Sequence, residues 1–200
     1  MKICLLGDPE GLLKEGFQTR GCDFFHTTEK ISAAELQKLN PSWVISYNYR
    51  HLISKDSIDI MKSKILNLHI SYLPWNRGAD PNPWCHLDNT PAGVSVHQID
   101  VGIDTGPILS QKKIDLAETM TLRESYDLLN AEVRNLFWSI WPGIEDSFKQ
   151  RKPQTEQGTF HSTKDRARFE ECLGKAGWDI SIAEFKKVWA GRSKLPGAVS

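Results

Sequence analysis

Short apolar runs that end in turn residues, each followed by a segment of helical pattern, constrain this chain more than any other feature. Residues 2–6 form such a run and close on Gly7-Asp8-Pro9-Glu10, the punctuation of a buried strand giving way to a helix. Residues 23–27, 43–46 and 64–70 read as three further strands, with helices expected over 32–39 and 54–61. Strands that alternate with helices imply a largely parallel sheet in an α/β fold. Residues 72–83 hold three prolines and one glycine and are expected to be loop. Residues 92–99 alternate apolar with polar side chains, as a half-buried strand does, and another strand begins at 108–111. Thr121 and Glu124 form a capping box that opens a long helix. Its stripe is Leu122, Tyr126, Leu129, Val133, Leu136, Ile140, Ile144 and Phe148, and Pro142 should kink or break it.

After Lys149 the chain turns polar, resumes a strand-like pattern at 159–161, and ends its ordered part in a helix over 182–189 with Ile182, Phe185, Val188 and Trp189 on one face. Residues 195–200 are expected to trail off. The division expected is a domain over 1–150 and a small hairpin and helix appendage over 151–200. A chain of 200 residues can bury roughly 70% of its unfolded surface, so its core needs neither disulfide nor structural metal.

Lys and Arg number 25, Asp and Glu also 25, so there is no overall basic field to draw nucleic acid or an anionic membrane. No apolar run approaches the ~20 residues of a membrane span, and the opening run is too short for a signal peptide. A cytoplasmic location is the expectation. Cys4, Cys22, Cys85 and Cys172 form no C-x-x-C pair and read as buried small hydrophobes, with no metal motif among them.

Asn67 and His69 lie two apart on a predicted strand, so they share a face at the strand's C-terminal end, where open α/β sheets bind ligands. Asp104 sits between Gly102 and Gly106 in a tight segment that can aim a carboxylate. His26, His51, His86, His97 and His161 are read as ordinary hydrogen-bonded residues. The stretch Asn67-Leu68-His69-Ile70-Ser71-Tyr72-Leu73-Pro74-Trp75-Asn76-Arg77-Gly78, then Gly93-Val94-Ser95-Val96-His97 and Gly102-Ile103-Asp104-Thr105-Gly106-Pro107, closely resembles the formyltransferase family.

That resemblance implies a Rossmann-like, mostly parallel twisted sheet with flanking helices. It makes Asn67, His69 and Asp104 the catalytic trio and 10-formyltetrahydrofolate the formyl donor. It also implies a folate slot between two loops, from Tyr49, Arg50, His51, Leu52 and Ile53 on one and Gln98, Gly102 and Ile103 on the other. The wording of residues 69–84 looks most like the sugar N-formyltransferases. The implied acceptor is a nucleotide-linked amino sugar held by Tyr72, Trp75, Asn76, Arg77 and Gly78, with Arg77 on the diphosphate. The tail resembles a segment that helps build a homodimer in those enzymes. The part before Asn67 leaves room for about three strands, one fewer than relatives carry, so a partner subunit could be needed to complete the nucleotide cradle.

Alternatives stay open: hydrolysis of the same folate, though such hydrolases carry an extra N-terminal domain that is not expected here; another small amine, such as glycinamide ribonucleotide; a binding module without catalysis; or a metal hydrolase on His69, His86 and Asp104.

Overall fold

The computed structural model describes residues 1–192, so the expectation for 195–200 lies outside the described residues. In chain order the elements are β1 (Lys2–Gly7), α1 (Leu12–Thr19), β2 (Asp23–Thr27), α2 (Ala33–Leu39), β3 (Trp43–Tyr47), α3 (Lys55–Ile60), β4 (Ile65–His69), β5 (Arg77–Gly78) and α4 (Pro81–Leu87). There follow β6 (Gly93–Gln98), β7 (Ile108–Lys113), α5 (Leu122–Ile140), α6 (Ile144–Lys149), β8 (Phe160–His161), α7 (Arg166–Glu170) and α8 (Ile182–Arg192). Six strands make one sheet in the order β2-β1-β3-β4-β6-β7, and β5 pairs with β8 in a separate two-stranded ribbon. The first four strands of the sheet run parallel, and β6 joins β4 antiparallel.

The chain divides into two interleaved units. One comprises residues 1–69, 95–110 and 133–155, the other residues 70–94, 111–132 and those from 156 onward. In the first unit the strand register sorts side chains onto two faces. Cys4, Leu6, Val44 and Ile65 build one apolar cluster with Leu36 of α2, Ile58 of α3, Ile31 and Met61. Trp43, one residue out of step with Val44, meets the ring of Phe148 on α6 with centroids 5.1 Å apart. Phe17 of α1 is fully buried and packs edge-on against Phe137, Trp138 and Trp141. Ser32 and Glu35 close α2 with a reciprocal capping box, and the Ser54 hydroxyl caps α3.

Burial along α5 follows a stricter i+4 row than the predicted stripe. Leu129, Val133 and Phe137 are fully buried, while Leu136 and Ile140 are only half covered. The helix stops at Ile140, Pro142 falls in a 3-10 turn over Trp141–Gly143, and α6 restarts at Ile144, which is the break that the proline implied. The expectation that 72–83 is all loop is corrected, because β5 forms there and α4 begins at Pro81. Prolines are tolerated in a helix's first turn, whose N–H groups have no intrahelical acceptor.

In the second unit Trp84, Leu122, Phe169, Cys172, Leu173, Ile180, Ile182 and Phe185 form the core. His161 stacks flat on Trp84 at 3.8 Å and its Nε2 meets Asp88 Oδ2 at 2.7 Å, so this histidine is structural, as read. Ile182 and Phe185 of α8 are buried, but Val188 on the predicted face is partly exposed. Cys4, Cys85 and Cys172 are buried free thiols, and Cys22 is half-buried. Burial pushes Cys4 and Cys85 up to about 12, so they stay protonated.

Gly7 closes β1 at φ +83°, where a Cβ would stand 2.1 Å from the Tyr47 carbonyl oxygen. Gly7→Ala should cost about 2–5 kcal/mol in denaturant titration, from strain and overpacking together. The Nε2 of His86 is buried without a hydrogen-bond partner, and burial, aided by Lys186, pulls the imidazole down to about 4. The unfolded chain therefore takes up a proton first, so stability falls as pH drops from ~6.5 toward ~4, by a few kcal/mol at most. A His86→Leu variant should show a flatter melting profile across that window than the wild type.

Candidate active site

β4 is apolar except at Asn67 and His69, which occupy alternate positions and so emerge on one face. That face also bears Ile65, and in the adjoining parallel strand Ser46 lies beside Asn67. Across the antiparallel ladder Asn67 stands opposite His97, and His69 opposite Ser95. Residues opposite one another in a ladder share a face, so β6 adds a second imidazole to the same spot.

Asp104 completes the group. Asn67 Nδ2 donates to Asp104 Oδ1 at 3.2 Å and lies 3.2 Å from His97 Nε2. His97 Nδ1 is 2.9 Å from the Gln98 carbonyl, which can only accept, so Nδ1 carries the hydrogen. With the ring neutral, Nε2 accepts from the Asn67 amide. Asp104 Oδ1 is 3.3 Å from His97 Nε2, and Asp104 Oδ2 is 3.8 Å from His69 Nε2. His69 and His97 are buried, and the Asp104 side chain is 13% exposed. One amide, two imidazoles and one carboxylate thus meet in a largely dry place, where polar interactions gain strength.

The loop that brings Asp104 there works differently from expectation. Neither Gly102 nor Gly106 takes a positive φ; Asp104 itself does, at 53°. The glycines serve close approach instead. A Cβ on Gly102 would meet Thr105 Oγ1 at 2.1 Å, and one on Gly106 would meet the Gln98 carbonyl oxygen at 2.0 Å. Asp100 Oδ1 accepts from the Gly102 N–H and the Thr105 hydroxyl, which curls the loop.

The expected folate loops have mixed contents. Tyr49 is an anchor: its hydroxyl donates to the Glu29 carbonyl at 2.8 Å and accepts from the Ile31 N–H at 3.0 Å. Tyr49, Ile53 and Ile99 pack against the cluster of Cys4, Leu6, Val44 and Ile65, on the sheet face that carries Asn67. Arg50, His51 and Gly102 are exposed. Leu52 is 79%, Val101 75% and Ile103 45% exposed, which leaves apolar side chains on both loops open to a ligand. The Gln98 side chain is committed to Arg151.

Of the five expected acceptor residues, Asn76 lies inside the protein. It is fully buried, its Nδ2 donates to Thr90 Oγ1 at 2.8 Å, and its backbone N–H donates to Thr159 Oγ1 at 2.7 Å. A polar side chain satisfied in this way holds the second unit together. Arg77 and Gly78 pair with Phe160 and His161 in the small ribbon, and Tyr72 and Trp75 are half-buried. Among the described residues no group of three or more His, Cys, Asp or Glu is placed to hold a metal ion. No helix among them is long and apolar enough to cross a membrane.

A sequence profile described as formyl transferase matches residues 17–139, more than half of the chain and all of the group around Asn67. The chain belongs to the formyl transferase family. A methionyl-tRNA formyltransferase of Finegoldia magna is 34% identical to this family member over 142 residues, 68% of this chain and 46% of the relative. That of Clostridium tetani is 29% identical over 163 residues, 80% of this chain and 51% of the relative. The chain spans about half the length of these curated relatives.

Among solved structures, the formyltransferase PseJ of Anoxybacillus kamchatkensis, in complex with UDP-4,6-dideoxy-4-formamido-L-AltNAc and tetrahydrofolate, superposes with a TM-score of 0.86 at 35% identity, covering 94% of this chain and 100% of PseJ. A sugar N-formyltransferase from a Shewanella species shares the fold at a TM-score of 0.70 and 15% identity, over 100% of this chain and 90% of that one. The mostly parallel sheet with flanking helices is therefore the Rossmann-like formyltransferase fold.

His97 is hydrogen-bonded as read, but its place beside Asn67 and Asp104 in this family member was not read from the sequence. The usable signal was the alternation Ser95, His97, which puts both side chains on one face once residues 93–98 pair with 65–69. Because the Tyr49 hydroxyl ties two loops together, Tyr49→Phe should lower stability by about 1–2 kcal/mol in chemical denaturation. It should leave the sheet's circular dichroism unchanged.

Proposed function

We propose that this chain transfers a formyl group from 10-formyltetrahydrofolate to the amino group of a nucleoside-diphosphate-linked amino sugar. The convergence of Asn67, His69 and Asp104 carries the transfer chemistry. The likeness to PseJ, whose complex holds a UDP-linked formamido sugar and tetrahydrofolate, supports the donor and the acceptor class. The exposed Leu52, Val101 and Ile103, on loops anchored to the sheet face of the trio, suit a flat heteroaromatic ligand.

When bound, the folate supplies an electrophilic formyl carbon. His69 takes the proton that the amine sheds as its nitrogen bonds to that carbon. Asn67 donates from Nδ2 to the formyl oxygen as its double bond opens and charge gathers on it. Both Asn67 amide hydrogens are engaged at 3.2 Å, one toward Asp104 and one toward His97, so the oxygen displaces a long contact and gains a shorter, charge-assisted one. Asp104 keeps the other hydrogen and thereby the orientation of the amide. It also faces His69 Nε2, from which the proton passes on. The leaving folate nitrogen gains one proton, the amine loses one, and the protein returns to its starting state.

The wider reading places this work in the cytoplasm, on a sugar destined for a surface polysaccharide, in a homodimer that uses residues 151–200. A second acceptor is favoured by the curated relatives: the amine of methionyl-tRNA. Assay with formyltetrahydrofolate and each acceptor in turn separates the two, and formylation of the tRNA alone would move the reading to that substrate. Asn67→Ala should lower kcat about 10²–10³-fold and His69→Ala about 10²–10⁴-fold. Both should keep the thermal shift that tetrahydrofolate gives the wild type. Full turnover in either variant would remove the assigned roles.

A further inference from the structure

The segment after α6 runs beside the loop that carries Asp104 and is bonded to it at three points. Arg151 Nε donates to Gln98 Oε1 at 2.6 Å, and its guanidinium stacks on Phe148. Lys152 and Ile108 exchange backbone hydrogen bonds of 2.8 and 2.9 Å. Gln154 Nε2 donates to the carbonyls of Asp104 and Gly106, at 2.8 Å each.

That last pair has a definite chemistry. An amide nitrogen has two hydrogens, and here two carbonyls take them. Turned over, Gln154 would set its own oxygen against both carbonyl oxygens, so the bonding itself fixes which end faces the loop. The carbonyls held are those of Asp104, whose backbone is left-handed at φ 53°, and of the residue two further on. A non-glycine residue in that region is strained and persists only where its surroundings hold it.

We propose that Gln154 is a positioning residue for formyl transfer. By clamping the Asp104 and Gly106 carbonyls it keeps the Asp104 carboxylate against Asn67 and His69. The kinetic part rests on the function proposed above. The clamp itself does not.

Gln154→Glu is nearly isosteric but turns two donors into acceptors facing two carbonyls. The ionisable groups on the paired segments are Asp100 and Asp104 on the loop and Arg151 and Lys152 on the strap. Arg151 is already committed to Gln98 and to the Phe148 carbonyl. Protonation of the new carboxyl restores one donor. The expected result is faster deuterium uptake in peptides spanning 98–108, with unchanged uptake in β1 and β3.

With amine KM unchanged, the variant to wild-type kcat ratio should fall between about tenfold and a hundredfold near pH 8, then recover as pH drops toward ~5.5. Gln154→Met, of similar length and without donors, should lose rate with a ratio that stays flat across pH, and it serves if the Glu variant does not fold. Wild-type uptake and wild-type kcat in both variants overturn the proposal. So does a rate loss that tracks melting temperature alone, with no local change in uptake. A wild-type enzyme that formylates neither acceptor refutes the functional reading, while the exchange comparison still decides the clamp.

Discussion

Asn67 stands opposite His97 in the antiparallel ladder between β4 and β6, and a slip of one residue in that ladder would turn one of the two side chains to the far face of the sheet. The ladder is held by burial. Leu66 and Leu68 on one strand and Val94 and Val96 on the other are almost fully enclosed, so their placement leaves Asn67, His69, Ser95 and His97 no choice of face. Hydrophobic packing on one side of the sheet thus sets polar geometry on the other. The cost of enclosing polar side chains here is offset only if they find partners, and the bonds of the Asn67 amide to Asp104 and His97, with that of His97 Nδ1 to the Gln98 carbonyl, show how.

The polar network is tight in number but loose in length. The Asn67 bonds to Asp104 and His97, both 3.2 Å, lie at the long end of the hydrogen-bond range, whereas the bonds that hold the surrounding loops run from 2.6 to 3.0 Å. Short bonds fix the scaffold, and in the proposed transfer the longer ones leave the Asn67 amide able to exchange partners. Such a division suits a site that must present one arrangement to water and another to a developing charge.

The strands were legible because a buried parallel sheet needs runs such as those of β1 and β3, and few other structures tolerate them. Asn67 and His69 stood out because they share a face at the C-terminal end of such a run and open a stretch that resembles the formyltransferases. What could not be read depended on partners distant in the chain. Asn76 resembles a ligand contact in sequence, yet its bonds go to Thr90 and Thr159, which no local pattern links to it. His97 needed the β4–β6 register, and Gln154 needed the course of a loop fifty residues earlier. The start of α4 was hidden by treating Pro81 as a breaker, when the first turn of a helix accepts it.

The interleaving of the two units has a consequence for biosynthesis. Unit one draws its last residues from 133–155, so Asp104 leaves the ribosome fifty residues ahead of Gln154. At ordinary translation speeds that gap is roughly 3–10 s, far longer than a strand or helix needs to form. During that interval the Asp104 and Gly106 carbonyls lack the amide that later holds them, and the loop gains that clamp only after the strap emerges.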